Sequence, residues 1–228
     1  MEVVPGLHYV ERIWDTKVYL LVEGERVVVI DAATPNRERA IWQHMAELGY
    51  PPQAVDEIWL THGDIDHMGS AAALKAASGA KVVVHRDDVP LVEGRADRPL
   101  GPVRLSGAYE RLFNWVVRRI YQPARVNNPV EDGNRLGEWL VVHVPGHTAG
   151  SVCFYHPGRK IALVGDAINY KRGRLGAPPR LFSNDLDQAR RSVQKLAALD
   201  FEVCCFGHGP PLLHNAARQV RAFAESLL

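Results

Sequence analysis

The chain has 228 residues, 46% hydrophobic and 23% charged, enough apolar material to bury a substantial core in one large or two small domains. Its 27 Lys and Arg stand against 26 Asp and Glu, and a formal charge of +1 gives no general electrostatic pull toward nucleic acid or an anionic membrane. No segment approaches the roughly 20 apolar residues that span a bilayer, and Met1-Glu-Val-Val-Pro-Gly6 is not a basic stretch followed by an apolar run. These features point to a cytoplasmic protein with a small-molecule substrate and neither a nucleic-acid nor a membrane partner. The three cysteines, Cys153, Cys204 and Cys205, are odd in number and contain no CxxC pair, which argues against a disulfide framework. All three fall in strand-like runs, where a thiol serves as a small apolar side chain. The alternative for Cys204 or Cys205 is a metal ligand near His208.

Short β-rich runs come first, Val18 to Val22 and Val27 to Ile30, separated by the polar turn Glu23-Gly-Glu-Arg26. Asp31 ends the second run. Residues 36–48 carry Ala40, Ile41, His44, Met45 and Leu48 near helical spacing, and Gly49, Pro51 and Pro52 stop that helix. A strand over residues 57–61, a small-residue helix from about 69 to 78 and a strand over 81–85 complete a β-α-β alternation. The second half repeats the theme, with strands at 139–144, 151–156, 160–165 and 202–206 and helices at 185–199 and 215–228. Two similar β-rich halves with outer helices imply an α/β chain with sheets packed together and helices outside.

Between the halves, residues 86–135 break the pattern with Pro90, Pro99, Gly101, Pro102, Gly107, Pro123 and Pro129 around one amphipathic segment, Ala108 to Tyr121. Its Leu112, Trp115, Val116, Arg119 and Ile120 share one helical face, suited to lying across an apolar groove. Residues 1–228 therefore read as one domain, with an insertion helix docked on the body or a lid at about 86–135.

The chemistry concentrates in Thr61-His62-Gly63-Asp64-Ile65-Asp66-His67, where two histidines and two aspartates fall within six residues directly after a strand. A solvated polar loop is the bland alternative, since Asp and Gly are ordinary turn residues. Against it stand three further Gly-flanked ligand types after β-runs: Pro145-Gly-His147-Thr, Val164-Gly-Asp166-Ala and Phe206-Gly-His208-Gly. Imidazole and carboxylate together suit zinc and related divalent ions, and two such ions about 3.5–4 Å apart can share a hydroxide, lower its pKa toward neutrality and stabilise the oxyanion formed on attack. The nucleophile is then water. Thr61 and Thr148, adjacent to these residues, are turn formers or hydrogen-bond partners of the ligands.

These motifs resemble those of the metallo-β-lactamase fold superfamily, whose signature is HxHxDH followed by a later His, an Asp and a final His, and the match covers nearly the whole chain. The resemblance implies a four-layer αββα sandwich of two mixed β-sheets flanked by helices, with two divalent metals, zinc first and manganese or iron next, at the edge where the sheets meet. It also implies that His62, Asp64 and His147 hold one metal, that Asp66, His67 and His208 hold the other, and that Asp166 bridges both.

The second histidine of that signature is replaced here by Asp64. Ligation through oxygen would let three carboxylates and a hydroxide balance two dications, where a histidine would leave +1, and would favour harder ions such as manganese or iron. Alternatively, Asp64 orients His62 or a water. Asp66 and Tyr170 are the catalytic candidates, Tyr170 because a phenol four residues after Asp166 could donate to a developing oxyanion. His85, ending its strand, is a candidate neighbour of the cluster. Lys171, Arg172 and Arg174 form a basic loop, solvated or suited to a substrate carboxylate.

The resemblance implies metal-dependent hydrolysis of a carbonyl compound. Because only about twenty residues follow His208, the full glyoxalase II pattern with its C-terminal helical extension is disfavoured. A lactone, ester or thioester hydrolase fits best; a β-lactamase, or an iron-dependent redox protein or dioxygenase-like member of the same fold, is the alternative.

Overall fold

The computed structural model describes residues 1–100 and 107–227, in two compact units. The first holds residues 1–84, 89–98 and 107–129; the second holds 85–88, 99–100 and 130–227. Gly101 and Pro102, two of the chain-breaking positions, lie outside the described residues.

The first unit contains β1 (Glu2–Val4), β2 (Leu7–Tyr9), β3 (Tyr19–Glu23), β4 (Arg26–Ile30), α1 (Glu38–Glu47), β5 (Val55–Trp59), α2 (Ile65–Met68), α3 (Ala71–Ser78), β6 (Lys81–His85), α4 (Val89–Val92), α5 (Gly107–Ile120) and β7 (Asn128–Val130). Its seven strands form one sheet in chain order. β1 to β4 are antiparallel, whereas β4, β5 and β6 run parallel, joined by the helical crossovers that parallel strands require. Val27, Val29, Ile58, Leu60, Val82 and Val84 alternate along these strands and build a core with Ile41 and Met45 of α1 and Leu74 of α3. The intervening Val28, Ile30, Trp59 and Val83 are buried as well. Burial on both faces explains why β4 and β6 carry the unbroken β-branched runs Val27 to Ile30 and Val82 to Val84, whereas β5 keeps an exposed Asp56 and a half-buried Glu57 ahead of its buried Ile58 and Trp59.

The second unit contains β8 (Arg135–Leu136), β9 (Trp139–His143), β10 (Val152–His156), β11 (Ile161–Gly165), β12 (Asn169–Lys171), β13 (Arg174–Gly176), α6 (Leu186–Ala197), β14 (Val203–Phe206) and α7 (Ala216–Glu225). Its main sheet has the order β14-β11-β10-β9-β8, mixed through the parallel pairing of β11 with β14. Val142, Cys153, Val164, Cys204 and Phe206 pack with Val193 and Leu196 of α6 and Val220 of α7. The cysteines are free and buried, and burial pushes the Cys153 and Cys204 thiols well up, as expected of apolar filler. Two mixed sheets with accompanying helices agree with the α/β class. Among the described residues, no helix is long and apolar enough to cross a membrane.

One expectation is reversed. Leu112, Trp115, Val116 and Ile120 of α5 are exposed at 57%, 54%, 40% and 51%. The helix is held by its opposite side, where Val117 packs on the first unit's core and Asn114 hydrogen-bonds the Arg98 backbone in both directions, at 3.0 and 3.1 Å. Just beyond its end, the Tyr121 hydroxyl donates to the Val92 carbonyl at 2.6 Å. Periodicity identifies an apolar stripe, but three contacts of greater burial decide which side is covered.

Ile58 is wholly buried in β5. Ile58→Ala should lower unfolding stability by about 2–5 kcal/mol in a denaturant titration, the range for truncating a buried aliphatic side chain.

Candidate metal centre

In the first unit the ligand types stand at the carboxyl ends of parallel strands. Thr61 to Asp64 continue from β5, and α2 begins at Ile65, so a single turn of helix sets Asp66 and His67 beside His62. The rings of His62 and His67 lie 4.1 Å apart, and both residues are fully buried. Asp31, at the end of β4, organises them. Its carboxylate accepts the Thr61 amide at 2.8 Å and the Thr61 hydroxyl at 2.9 and 3.0 Å, and lies 2.9 Å from His67 Nδ1. Because the Thr61 proton goes to Asp31, Thr61 Oγ1 is left to accept from His62 Nδ1 at 3.0 Å. This arrangement favours the tautomer with the proton on Nδ1 in both imidazoles and Nε2 as a lone pair, one of the two forms in which a histidine ligates a metal, and Thr16 Oγ1 lies 3.4 Å from His67 Nε2. His62 Nε2 lies 3.7 Å from Asp64 Oδ2, and His67 Nε2 lies 3.7 Å from Asp66 Oδ2.

Asp64 has a second partner. Arg98, only 7% exposed, donates to both carboxylate oxygens, through Nε to Oδ1 and through Nη2 to Oδ2 at 3.2 Å. A two-pronged pair of this kind holds a carboxylate in one orientation and in its charged form. Asn114 in turn fixes the Arg98 backbone, so α5 is tied to the motif loop through Asn114, Arg98 and Asp64.

The second unit carries its own set. His147, Asp166 and His208 follow β9, β11 and β14, and Asp166 Oδ2 lies 3.8 Å from His147 Nε2 and 3.3 Å from His208 Nε2. Nitrogen and oxygen ligands of one tetrahedral zinc are about 3.3 Å apart, given bonds of roughly 2.0–2.1 Å. The turn before His147 depends on Gly146, whose φ is +132° and where an added Cβ would lie 2.3 Å from the Ala189 nitrogen of α6. The turn after it is clamped by buried Asp88, which accepts the Thr148 hydroxyl at 2.6 Å and the Gly150 amide at 2.8 Å. His147 Nδ1 faces Ser183 Oγ at 3.5 Å. The Tyr170 amide donates to the His208 carbonyl at 3.2 Å, and the Tyr170 ring stacks on Phe206 with centroids 5.6 Å apart.

His85 lies with His143, the two rings stacked at 3.9 Å with 10° between their planes. Burial, with His143 next, pushes the His85 pKa down, which keeps the ring neutral. Lys171, Arg172 and Arg174 are exposed. Asp31, Asp88, Arg98, Asn114 and Ser183 were not singled out from the sequence; each is distant in the chain from the residue it supports. The strand-terminal position of Asp31 was the only local signal among them. The donor set of imidazole nitrogens and carboxylate oxygens fits a borderline or hard divalent ion such as zinc, manganese or iron.

Residues 13–208 match the model of the metallo-beta-lactamase superfamily. The chain belongs to this superfamily. It is 29% identical over 210 residues to the probable metallo-hydrolase YflN of Bacillus subtilis, covering 86% of this chain and 80% of that protein. It is 30% identical over 192 residues to the hydroxyacylglutathione hydrolase of Pseudomonas paraeruginosa, covering 81% of this chain and 58% of that protein. The metallo-beta-lactamase family protein TTHA1429 of Thermus thermophilus matches 99% of this chain and 79% of its own at a TM-score of 0.76 and 28% identity. These matches place the chain among the metallo-hydrolases.

Asp31→Asn keeps the shape of the hub but removes its charge and one acceptor oxygen. It should weaken zinc binding by about 10–100-fold, the range for outer partners of metal ligands, read by competition with a chelator of known affinity.

Proposed function

We propose that the chain is a hydrolase dependent on two divalent metals that attacks a carbonyl substrate, with a lactone, ester or thioester as the favoured class. On this reading His62, Asp64 and His147 would hold one metal, Asp66, His67 and His208 would hold the other, and Asp166 would serve both. The observation that carries this reading is the hydrogen-bond network around Asp31, which leaves Nε2 of both His62 and His67 as lone-pair donors beside carboxylates. A network that only had to satisfy buried polar groups has no need to fix both tautomers in the same sense. The carbonyl class is supported by the relatives named hydroxyacylglutathione hydrolase, of which this chain spans 58% of the length in the case compared.

When bound, the metals would supply an acidified water and charge stabilisation for the oxygen that becomes negative. The side chains do the rest. Asp31 and Thr61 hold the two imidazoles against rotation, and Asp88 holds the loop that carries His147. Asp66, whose side chain is 33% exposed, is the most open ligand of the first unit's set and is suited to accept the proton released by the attacking water. Tyr170 is half-buried, its amide on the His208 carbonyl, and is the residue we assign to donate a hydrogen bond to the substrate's carbonyl oxygen as charge develops there.

The purified protein should carry two equivalents of zinc, manganese or iron after reconstitution and should turn over at least one member of a lactone, ester and thioester panel. Asp166→Ala should lose metal and turnover together; turnover that persists in Asp166→Ala sinks the proposal. Tyr170→Phe should keep both metals and lower kcat by about 10²-fold or more, in line with the loss of one oxyanion donor.

A further inference from the structure

The Arg98–Asp64 pair has no counterpart in the HxHxDH pattern, and its charge has a direct consequence. Two dications with the carboxylates of Asp66 and Asp166 sum to +2. A neutral histidine at position 64 would leave that sum unchanged, whereas an aspartate lowers it to +1. Arg98 brings it back to +2. Arg98 is buried, donates to both oxygens of Asp64 and is anchored through its backbone by Asn114, so its charge is delivered to one place and is poorly screened by solvent.

Resting on the two-metal reading above, we infer that Arg98 is a positioning and charge-compensating residue: together with Asp64 it forms a neutral unit standing in for the missing histidine. It lets an oxygen donor occupy that position without lowering the cluster's positive charge. The donor is therefore harder than imidazole while the attraction of the cluster for anions is preserved. A surface ion pair of the same geometry would carry little of this effect, because water would screen the guanidinium. The pairing also explains why Asn114 is buried on α5: holding the Arg98 peptide from both sides keeps the guanidinium from swinging out toward solvent.

The inference is tested by a double-mutant cycle on metal affinity, measured with the metal-stripped protein and Zn²⁺ in competition with a chromogenic chelator. Arg98→Met lowers the summed charge by one and should tighten binding on the order of tenfold or more. Asp64→His raises it by one and should weaken binding by a similar factor. The double variant Asp64→His/Arg98→Met restores the wild-type sum and should bind within about threefold of wild type. A merely structural role for Arg98 predicts weaker binding in Arg98→Met, the opposite sign. Arg98→Met leaves a buried carboxylate and Asp64→His a buried guanidinium uncompensated in the metal-free state, and either can fail to fold; the double variant contains neither, so its affinity beside wild type then carries the test. Equal affinities for Asp64→His and the double variant, a double variant more than about tenfold from wild type, or an Arg98→Met affinity equal to or below wild type, overturn the inference while leaving the two-metal reading intact. A wild-type protein that binds no zinc overturns both.

Discussion

The first unit's set of candidate ligands depends on one buried carboxylate, that of Asp31, 2% exposed at the end of β4. A charged group at that depth is tolerated only when its oxygens are satisfied. The Thr61 amide, the Thr61 hydroxyl and the His67 ring meet that demand. Satisfying Asp31 therefore dictates where the loop after β5 must run, which nitrogen of each imidazole carries the proton and which one faces outward. The parallel pairing of β4 with β5 makes this possible, because it brings the two strands' carboxyl ends side by side. The Asp88 clamp in the second unit follows the same logic: a fully buried carboxylate is satisfied by the loop that follows His147 and so fixes it.

Much of this arrangement was legible in the sequence. The strand runs were visible because β4 and β6 are buried on both faces, and the ligand motif because four side chains of one chemical purpose fall in six consecutive positions. The residues that hold those ligands were not. Asp31, Asp88 and Arg98 sit in unremarkable local contexts, Asp88 after Arg86 and Asp87 and Arg98 after Asp97, and their roles come from tertiary neighbours 30 to 62 positions away. Arg98 in particular sits in a loop of ordinary polar composition, so no local pattern distinguishes it from a solvated arginine. The short strands β1, β2, β7, β8, β12 and β13 were equally silent, since runs of two or three residues show no periodicity.

The α5 face illustrates a different limit. Amphipathic spacing locates Leu112, Trp115, Val116 and Ile120 on one side of a helix, yet the structure exposes them and buries Asn114 instead. Beside the Val117 packing and the Tyr121 bond to Val92, the opposite side is held by two hydrogen bonds between the Asn114 side chain and the Arg98 backbone. A polar residue with a specific partner has overridden an apolar stripe, and it is the partner that pairs with Asp64. Asn114, Arg98 and Asp64 thus link the insertion helix to the position where this chain departs from the HxHxDH pattern.

Anomalous diffraction from crystals grown with zinc measures the central claim most directly. The account expects two anomalous peaks about 3.5–4 Å apart, sharing Asp166, with Nε2 of His62, His67, His147 and His208 directed at them and the Arg98 guanidinium still on Asp64. A single peak, or peaks ligated through Nδ1 of His62 or His67, would contradict it.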